Sequence, residues 1–323
     1  MSSILERLPE GSRVAVIRLR SLGDSVLTTP ALALLKGRRP DLQIGVVVED
    51  RFRAAFEDNP DVERILPPEA RAIFGWGPRL TLNLHGGTRS MAFTVASCAA
   101  IRAGFAHHRY SFVYSHAIPR AQEIIGQERV VHTAEHLASA MFWLGVPRTE
   151  IPRAKLSGGW ALGRTGLEHR IGNGKAEALR GLKPTLPTAV IHPFASSPSK
   201  TWPAERFVTV AEELARTGMA PVFLAGPGDD THAFEHFTIV KNAPLADVKS
   251  LISGAQLFIG NDSGPAHIAA AFGVPSVVLF GSSDPAIWGP WRTDGRVLQH
   301  PSGIASITPG EVLEAAHGLK VVA

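Results

Sequence analysis

The octapeptide Gly260-Asn261-Asp262-Ser263-Gly264-Pro265-Ala266-His267 separates a short apolar run from an alanine-rich one. A polar turn at a helix start gathers unpaired N–H groups and the positive end of the helix dipole. Gly264 lets a ligand approach the backbone and Ser263 adds a hydroxyl, so a diphosphate would suit the turn. Ordinary capping by Asp262 or Ser263 is the competing reading. A carboxylate beside a bound anion repels it, so Asp262 is expected to touch hydroxyls or to order the turn. His267, one turn on from Ser263, falls on the same helix face, where it serves equally as a structural histidine.

Upstream, His192-Pro193-Phe194-Ala195-Ser196-Ser197-Pro198-Ser199-Lys200-Thr201-Trp202-Pro203 follows another apolar run. Ser196 and Ser197 offer hydroxyls and Lys200 a point charge, a combination that neutralises a leaving diphosphate as its oxygen gains charge. A solvated lysine before a helix is the plainer alternative. Gly226-Pro227-Gly228-Asp229-Asp230 resembles half of a dinucleotide fingerprint without the third glycine; Asp230 is a candidate for ribose hydroxyls, against simple capping. In the first half, Gly23-Asp24 lies just beyond the first apolar run, and Asp24 is the candidate general base for an acceptor alcohol, again against capping. Arg20, His85, Gly86 and Arg89 are the candidates to meet the acceptor, through glycine amides and guanidinium groups. There is no Asp-x-Asp pair, no spaced His/Cys cluster and no Walker lysine loop, so no metal is expected.

These residues need elements to position them. Arg13–Arg18, Gln43–Val48, Arg64–Leu66 and Arg79–Leu84 read as strands, each a nearly continuous apolar run, as in a parallel sheet covered on both faces. Ser21–Ser25 is expected to be a turn, with Thr29 as N-cap and Pro30 as the first residue of a helix to Lys36. Arg53–Phe56 has helical character. The theme restarts with strands at Ala189–His192, Pro221–Leu224, Leu257–Ile259 and Ser276–Phe280, and helices at Ala204–Arg216, Leu245–Ser253 and Ala266–Phe272. A final helix starts at the capping box of Thr308 and Glu311. The fold class is α/β with two Rossmann-like, doubly wound domains. The first spans residues 1–160, a connection with a polar helical candidate at Lys175–Leu182 spans 161–187, and the second spans 188–323. The last helix, about 309–318, is a candidate for packing back on the first domain.

A chain of 323 residues, 45% apolar and 19% charged, suits two cores of this kind. One cysteine, Cys98, excludes intrachain disulfides and fits a reducing compartment. Met1–Gly11 lacks a signal-peptide core, and the apolar stretch Ile268–Phe280, broken by Gly273 and Pro275, falls short of the ~20 residues of a membrane span. A cytoplasmic protein is expected. Residues 1–160 hold 20 Lys/Arg against 15 Asp/Glu, and 161–323 hold 13 against 14. That surplus suits a phosphorylated or membrane-surface acceptor, or a merely solvated surface. Nucleic acid is not expected, since no basic run is interleaved with aromatics.

Taken together, IRLRSLGDSVLTTPAL (17–32), HPFASSPSKTWPAERF (192–207) and GNDSGPAHIAAAFGVPSVVLFGSSDP (260–285) resemble the lipopolysaccharide heptosyltransferase family, glycosyltransferase family nine. The resemblance covers nearly the whole chain, in order. It implies a GT-B fold with two domains facing a central cleft and an inverting, metal-independent transfer without cofactor. It also implies an ADP-heptose donor and a lipid-linked saccharide acceptor, and a monomer in the bacterial cytoplasm, peripheral on the inner membrane. By position the base falls on Asp24, the phosphate-neutralising lysine on Lys200, and the diphosphate turn on Asp262, Ser263 and Gly264 with His267 alongside. The adenine falls near Ala243 and Pro244, and the ribose near Asp230. Serine stands at 263 where some heptosyltransferases have threonine. A sugar-nucleotide epimerase, which would consume donor without acceptor, and a non-catalytic nucleotide-sugar-binding protein are the rival readings.

Overall fold

The computed structural model describes residues 3–158 and 186–319, which fall into two compact units, Met1–Ser157 and Gly158–Ala323. Of the 161–187 connection only 186–187 is described, and the helical candidate Lys175–Leu182 lies outside the described residues.

In the first unit β1 (Arg13–Ile17), α1 (Leu22–Arg38), β2 (Gln43–Val47), β3 (Arg64–Leu66), α2 (Ala70–Trp76), β4 (Leu80–Asn83), α3 (Thr88–Ala96), β5 (Ile101–Phe105), β6 (His116–Ile118), α4 (Ala121–Ile125) and α5 (Thr133–Leu144) follow in order. The strands form one parallel sheet, β3-β2-β1-β4-β5-β6. α1 packs beside α5, and α2 beside α3. Burial on both faces, as along Val14–Ile17 of β1, explains the apolar runs. Each fully buried Val, Ile or Leu here contributes roughly 1.5–3 kcal/mol.

The second unit repeats the plan with β7 (Thr188–His192), α6 (Ala204–Arg216), β8 (Ala220–Ala225), β9 (Thr238–Lys241), α7 (Leu245–Ser253), β10 (Leu257–Asn261), α8 (Gly264–Phe272), β11 (Ser276–Phe280), α9 (Pro285–Trp288), β12 (Gly295–Gln299) and α10 (Pro309–His317). Its parallel sheet runs β12-β11-β10-β7-β8-β9. α10 packs on α6, β11 and β12, with Val312 and Ala316 in this unit's core.

In both sheets the chain fills one side first and then crosses to the other, the Rossmann order. The crossing leaves a crevice at the carboxyl ends of β1 and β4, and another at those of β7 and β10. Ligands of open α/β sheets bind at such switch points.

The structure corrects one expectation that bears on the site. Thr29 and Pro30 do not open a helix, and Ser21–Ser25 is not a free turn: α1 starts at Leu22, and Pro30 lies inside it. Proline in a helix interior removes the bond to the carbonyl four residues back, which here is Val26 O. The Thr29 hydroxyl donates to that carbonyl at 2.8 Å, so the acceptor is satisfied and the helix continues.

Candidate functional site

In the second unit, β10 ends in Asn261, which is fully buried. Its Oδ1 accepts from the Trp202 N–H at 3.2 Å and its Nδ2 donates to Pro193 O at 2.8 Å, fixing both ends of the loop after β7. The indole N–H of Trp202 is anchored on Ile307 O at 2.9 Å. Two glycines allow the close approach: a Cβ on Gly260 would lie 2.8 Å from His192 O, and one on Gly281 would lie 1.9 Å from Ser199 O. The Ser282 N–H donates to Ser199 O at 3.2 Å. Loops from β7, β10 and β11 therefore converge on one point.

At that point Lys200 Nζ lies 3.0 Å from Asp262 Oδ2, and the Ser283 hydroxyl donates to the same oxygen at 2.6 Å. Asp262 thus ties a cation and a hydroxyl to the turn. Ser263 has N-cap dihedrals (φ −158°, ψ 170°) but makes no capping bond. Its Oγ is buried with no hydrogen-bond partner among the described residues. Gly264 and Pro265 open α8. The start of α8 thus presents uncapped N–H groups, an unused hydroxyl and an adjacent ammonium, a set that complements an anion. A buried hydroxyl without a partner costs about 1–3 kcal/mol, which a ligand oxygen would recover.

The other residues singled out in this unit fall around that cluster. Ser197 reaches it through a chain of hydroxyls, to Ser199 at 3.1 Å and on to Ser282 at 2.9 Å, whereas Ser196 is exposed. His267 lies one turn into α8 and is buried. Asp230 follows β8, is exposed, and accepts from the His232 N–H at 3.0 Å, while Asp229 accepts from the Gly226 N–H at 2.7 Å. Both aspartates order their own turn. Ala243 follows β9, and Pro244 is the N-cap of α7. These loops lie on the strands outward of β7, and among the described residues no hydrogen bond joins them to the Lys200 cluster. Sequence reasoning missed Ser282, Ser283 and the clamp role of Asn261. The signal was their position at the carboxyl ends of β11 and β10.

In the first unit the crevice is closed by charge. Arg18, buried just past β1, donates from Nε to Thr28 Oγ1 at 3.2 Å and pairs through Nη2 with Asp24 Oδ1 at 2.9 Å. Burial pulls its pKa below the ordinary value, and the Asp24 carboxylate opposes that pull. Asp24 Oδ2 accepts from the Ser21 N–H at 3.4 Å and the Ser21 hydroxyl at 3.0 Å, a capping box on α1. Asp24 therefore caps its helix, and it also stands at the switch point.

Across the crevice, Asn83 closes β4 as Asn261 closes β10. It is fully buried, accepts from the N–H groups of His85 and Gly86 at 3.0 Å each, and donates to Ser90 and Thr94. The Gly86 amide, one of the candidate donors to an acceptor, is engaged by Asn83. Gly86 also has φ +80°, and a Cβ on it would lie 2.6 Å from the His108 ring. His85 Nδ1 is buried without a partner among the described residues. Burial holds the His85 pKa down, Arg18 and Arg20 push the same way, and the Asp24 carboxylate opposes them. Arg89 pairs with Glu49 at 2.9 Å, and Arg20 is exposed.

Sequence reasoning also missed a histidine cluster. His108 Nδ1 is 2.8 Å from the Tyr114 hydroxyl, and the His136 ring stacks on Phe105 at 4.0 Å. Burial, then neighbouring positive groups, lowers His108 and His136 to about 4, so both are neutral at pH 7. β6 and α4 lie between His108 and His136 in the chain, which is why no local motif announced them.

Two parallel six-stranded sheets of this order, each with its polar residues gathered at the switch point, define the GT-B class of glycosyltransferase fold. Comparison with known proteins agrees. The sequence profile of glycosyltransferase family 9 (heptosyltransferase) matches residues 79–303. The chain is similar to lipopolysaccharide heptosyltransferase 3 of Escherichia coli, 27% identical over 307 residues that cover 85% of each chain. It superposes on a family 9 glycosyltransferase of Veillonella parvula with a TM-score of 0.80 at 24% identity, covering 95% of this chain and 96% of that one. An E. coli heptosyltransferase solved with ADP gives a TM-score of 0.73 at 18% identity, covering 94% and 99%. The chain belongs to glycosyltransferase family 9 and is a glycosyltransferase.

Proposed function

We propose that this glycosyltransferase moves a heptose from ADP-heptose to a saccharide of the lipopolysaccharide core by a single inverting displacement without a metal. It works as a monomer at the cytoplasmic face of the inner membrane. The observation that carries the donor assignment is the uncapped start of α8, with the unpartnered Ser263 hydroxyl beside Lys200. In this reading the Ser263 hydroxyl, the Gly264 N–H and Lys200 hold the diphosphate. Asp262, itself held by Ser283, keeps the ammonium at the helix start. Ser196 and Ser197 meet the outer phosphoryl oxygens, Asp230 the ribose, the backbone at Ala243 the adenine, and His267 lies alongside.

Asp24 takes the proton of the acceptor hydroxyl as that oxygen bonds to the anomeric carbon. The bond from that carbon to the diphosphate breaks, and its electron pair leaves with the phosphate oxygen, where Lys200 offsets the charge. Inversion follows from one displacement. Arg20, His85, Gly86 and Arg89 line the acceptor side. The names of the relatives support the sugar and the acceptor.

A thermal-shift screen of ADP-, UDP- and GDP-sugars tests the donor, and transfer of heptose to a deacylated core saccharide tests the reaction. Selective stabilisation by ADP-sugars with acceptor-dependent ADP release is expected. ADP release that ignores the acceptor, or a preference for UDP compounds, would overturn the reading.

A further inference from the structure

From Ala70 to Gln122 the chain carries six arginines and no aspartate or glutamate. Within that stretch, Ser90 to Ile101 contains no ionisable group except Cys98. This is unusual for a helix that covers a sheet, because the outward face of such a helix is ordinarily charged. On α3 the one charge is Arg89 in the first turn; beyond it the outward face carries Ala92 and Val95, the latter 54% exposed. The neighbouring elements add larger side chains, Phe74 on α2 at 61% and Phe112, at 82%, on the 3-10 turn Ser111–Val113. α2 packs beside α3, and α3 beside that turn. Ile73, Trp76 and Phe93 belong to one cluster under the sheet, so α2 and α3 form one layer and these apolar groups rise from it together.

The tip is held firmly. Arg102 donates from Nε to Val113 O at 3.1 Å and from Nη1 to Ala99 O at 3.1 Å. Tyr110 meets Phe112 edge to face at 6.3 Å, and the Arg109 guanidinium lies 5.4 Å above the Tyr110 ring. Arg71 and Arg109 have no carboxylate partner among the described residues. Fixed, exposed aromatics beside unpaired arginines, with acidic residues excluded over the whole stretch, demand a partner that is both anionic and apolar.

We propose that the α2–α3 face of the first unit is the surface on which this protein lies against an anionic phospholipid bilayer. An anionic bilayer supplies both requirements at once. Headgroup phosphates meet Arg71 and Arg109, Tyr110 sits at headgroup level, and Phe74, Val95 and Phe112 enter the acyl boundary. The inference rests on the reading of a lipid-linked acceptor and names the part of the chain that meets the lipid.

The test is co-sedimentation of the full chain with vesicles of phosphatidylglycerol mixed with phosphatidylcholine, and with vesicles of phosphatidylcholine alone. Binding to the anionic vesicles that weakens with salt is expected. Each of Arg71→Glu and Arg109→Glu should lower the vesicle affinity at least about fivefold, and Phe112→Ser roughly tenfold. Phe112→Trp should retain binding and shift its fluorescence to the blue on adding anionic vesicles. Melting temperature and ADP-sugar binding, measured on every variant, should not move. The proposal is overturned if the wild type ignores anionic vesicles at low salt or if the variants bind them as tightly. A lipid-free dimer that Phe112→Ser dissociates would also overturn it, since a second copy would then own the face. Heptose transfer to the deacylated saccharide reports on the catalytic reading alone: its loss with vesicle binding intact, or the reverse, separates the two failures.

Discussion

The two switch points share a topology and differ in how their helix starts are finished. In each unit the strand beyond the crossing ends in a buried asparagine, Asn83 on β4 and Asn261 on β10, that ties a loop in place. In the first unit α1, the helix after β1, is closed by Asp24, which makes a capping box with Ser21 and neutralises buried Arg18; α3, the counterpart of α8, opens at Gly87 without a side-chain cap, and the arginine of its first turn, Arg89, is paired with Glu49. In the second unit α8 opens without a cap, and the carboxylate beside it is turned away to Lys200 and Ser283. A capped start with a carboxylate in its first turn offers an anion fewer free N–H groups and a repelling charge; an open one beside a lysine offers more donors and an attracting charge. Topology therefore creates the crevice twice, and the side chains at each set its charge: a lysine beside an open helix start in the second unit, a carboxylate paired with a buried arginine in the first.

The largest effect should come from Asp24→Asn. Asparagine keeps the reach to Ser21 but cannot accept a proton, so turnover should fall about 10²- to 10⁴-fold. Arg18 loses its counter-charge in this variant, so melting temperature must be followed alongside. A folded Asp24→Asn protein with near-normal turnover would leave the first crevice with capping alone. Lys200→Ala should lower kcat about 10²- to 10³-fold, as expected for a group that meets charge developing on the leaving oxygen. A rise in donor KM with kcat intact would mean that Lys200 binds donor and transition state equally.

The asparagines sharpen the comparison further. Asn261→Ala strands the Trp202 N–H and Pro193 O, and Asn83→Ala strands the amides of His85 and Gly86. Each should cost about 2–3 kcal/mol of stability in denaturant melts. Their functional effects should separate, with Asn261→Ala weakening the donor and Asn83→Ala raising acceptor KM. Equal effects on both substrates would show that the two crevices do not divide the labour.

Much of this was legible in sequence wherever one segment carried the whole signal. The largely apolar strands β1, β2, β7, β10 and β11 were readable, as was the helix start at Ser263, because burial on both faces and cap chemistry are local. β5, β6, β9 and β12 were not: β6, β9 and β12 are edge strands and β5 lies beside one, and Arg102, Gly104, His116, Lys241, Gly295 and Arg296 interrupt their apolar runs. Pro30 misled for a related reason: its usual place is a helix start, and only the Thr29 hydroxyl on Val26 O reveals the exception. Lys200 and Asp262 were each visible, but their contact spans two loops. The histidine cluster of His85, His108 and His136 lies on three separate elements, so only the folded sheet assembles it.

The smallest expected effect discriminates best. Ser263→Ala removes a hydroxyl that is buried at the α8 start and makes no bond among the described residues. A serine that merely capped the helix would make alanine costly, by about 1 kcal/mol. A hydroxyl waiting for a ligand predicts the opposite sign in the empty protein, because deleting an unsatisfied buried polar group is neutral or stabilising. The cost then appears only with ligand: the Kd for ADP should rise about tenfold, the value of one hydrogen bond to a charged group. Melting temperature and ADP calorimetry on one pair of proteins decide between the two. A destabilised Ser263→Ala protein that binds ADP normally would show α8 to be capped like α1, and the contrast between the two crevices would disappear.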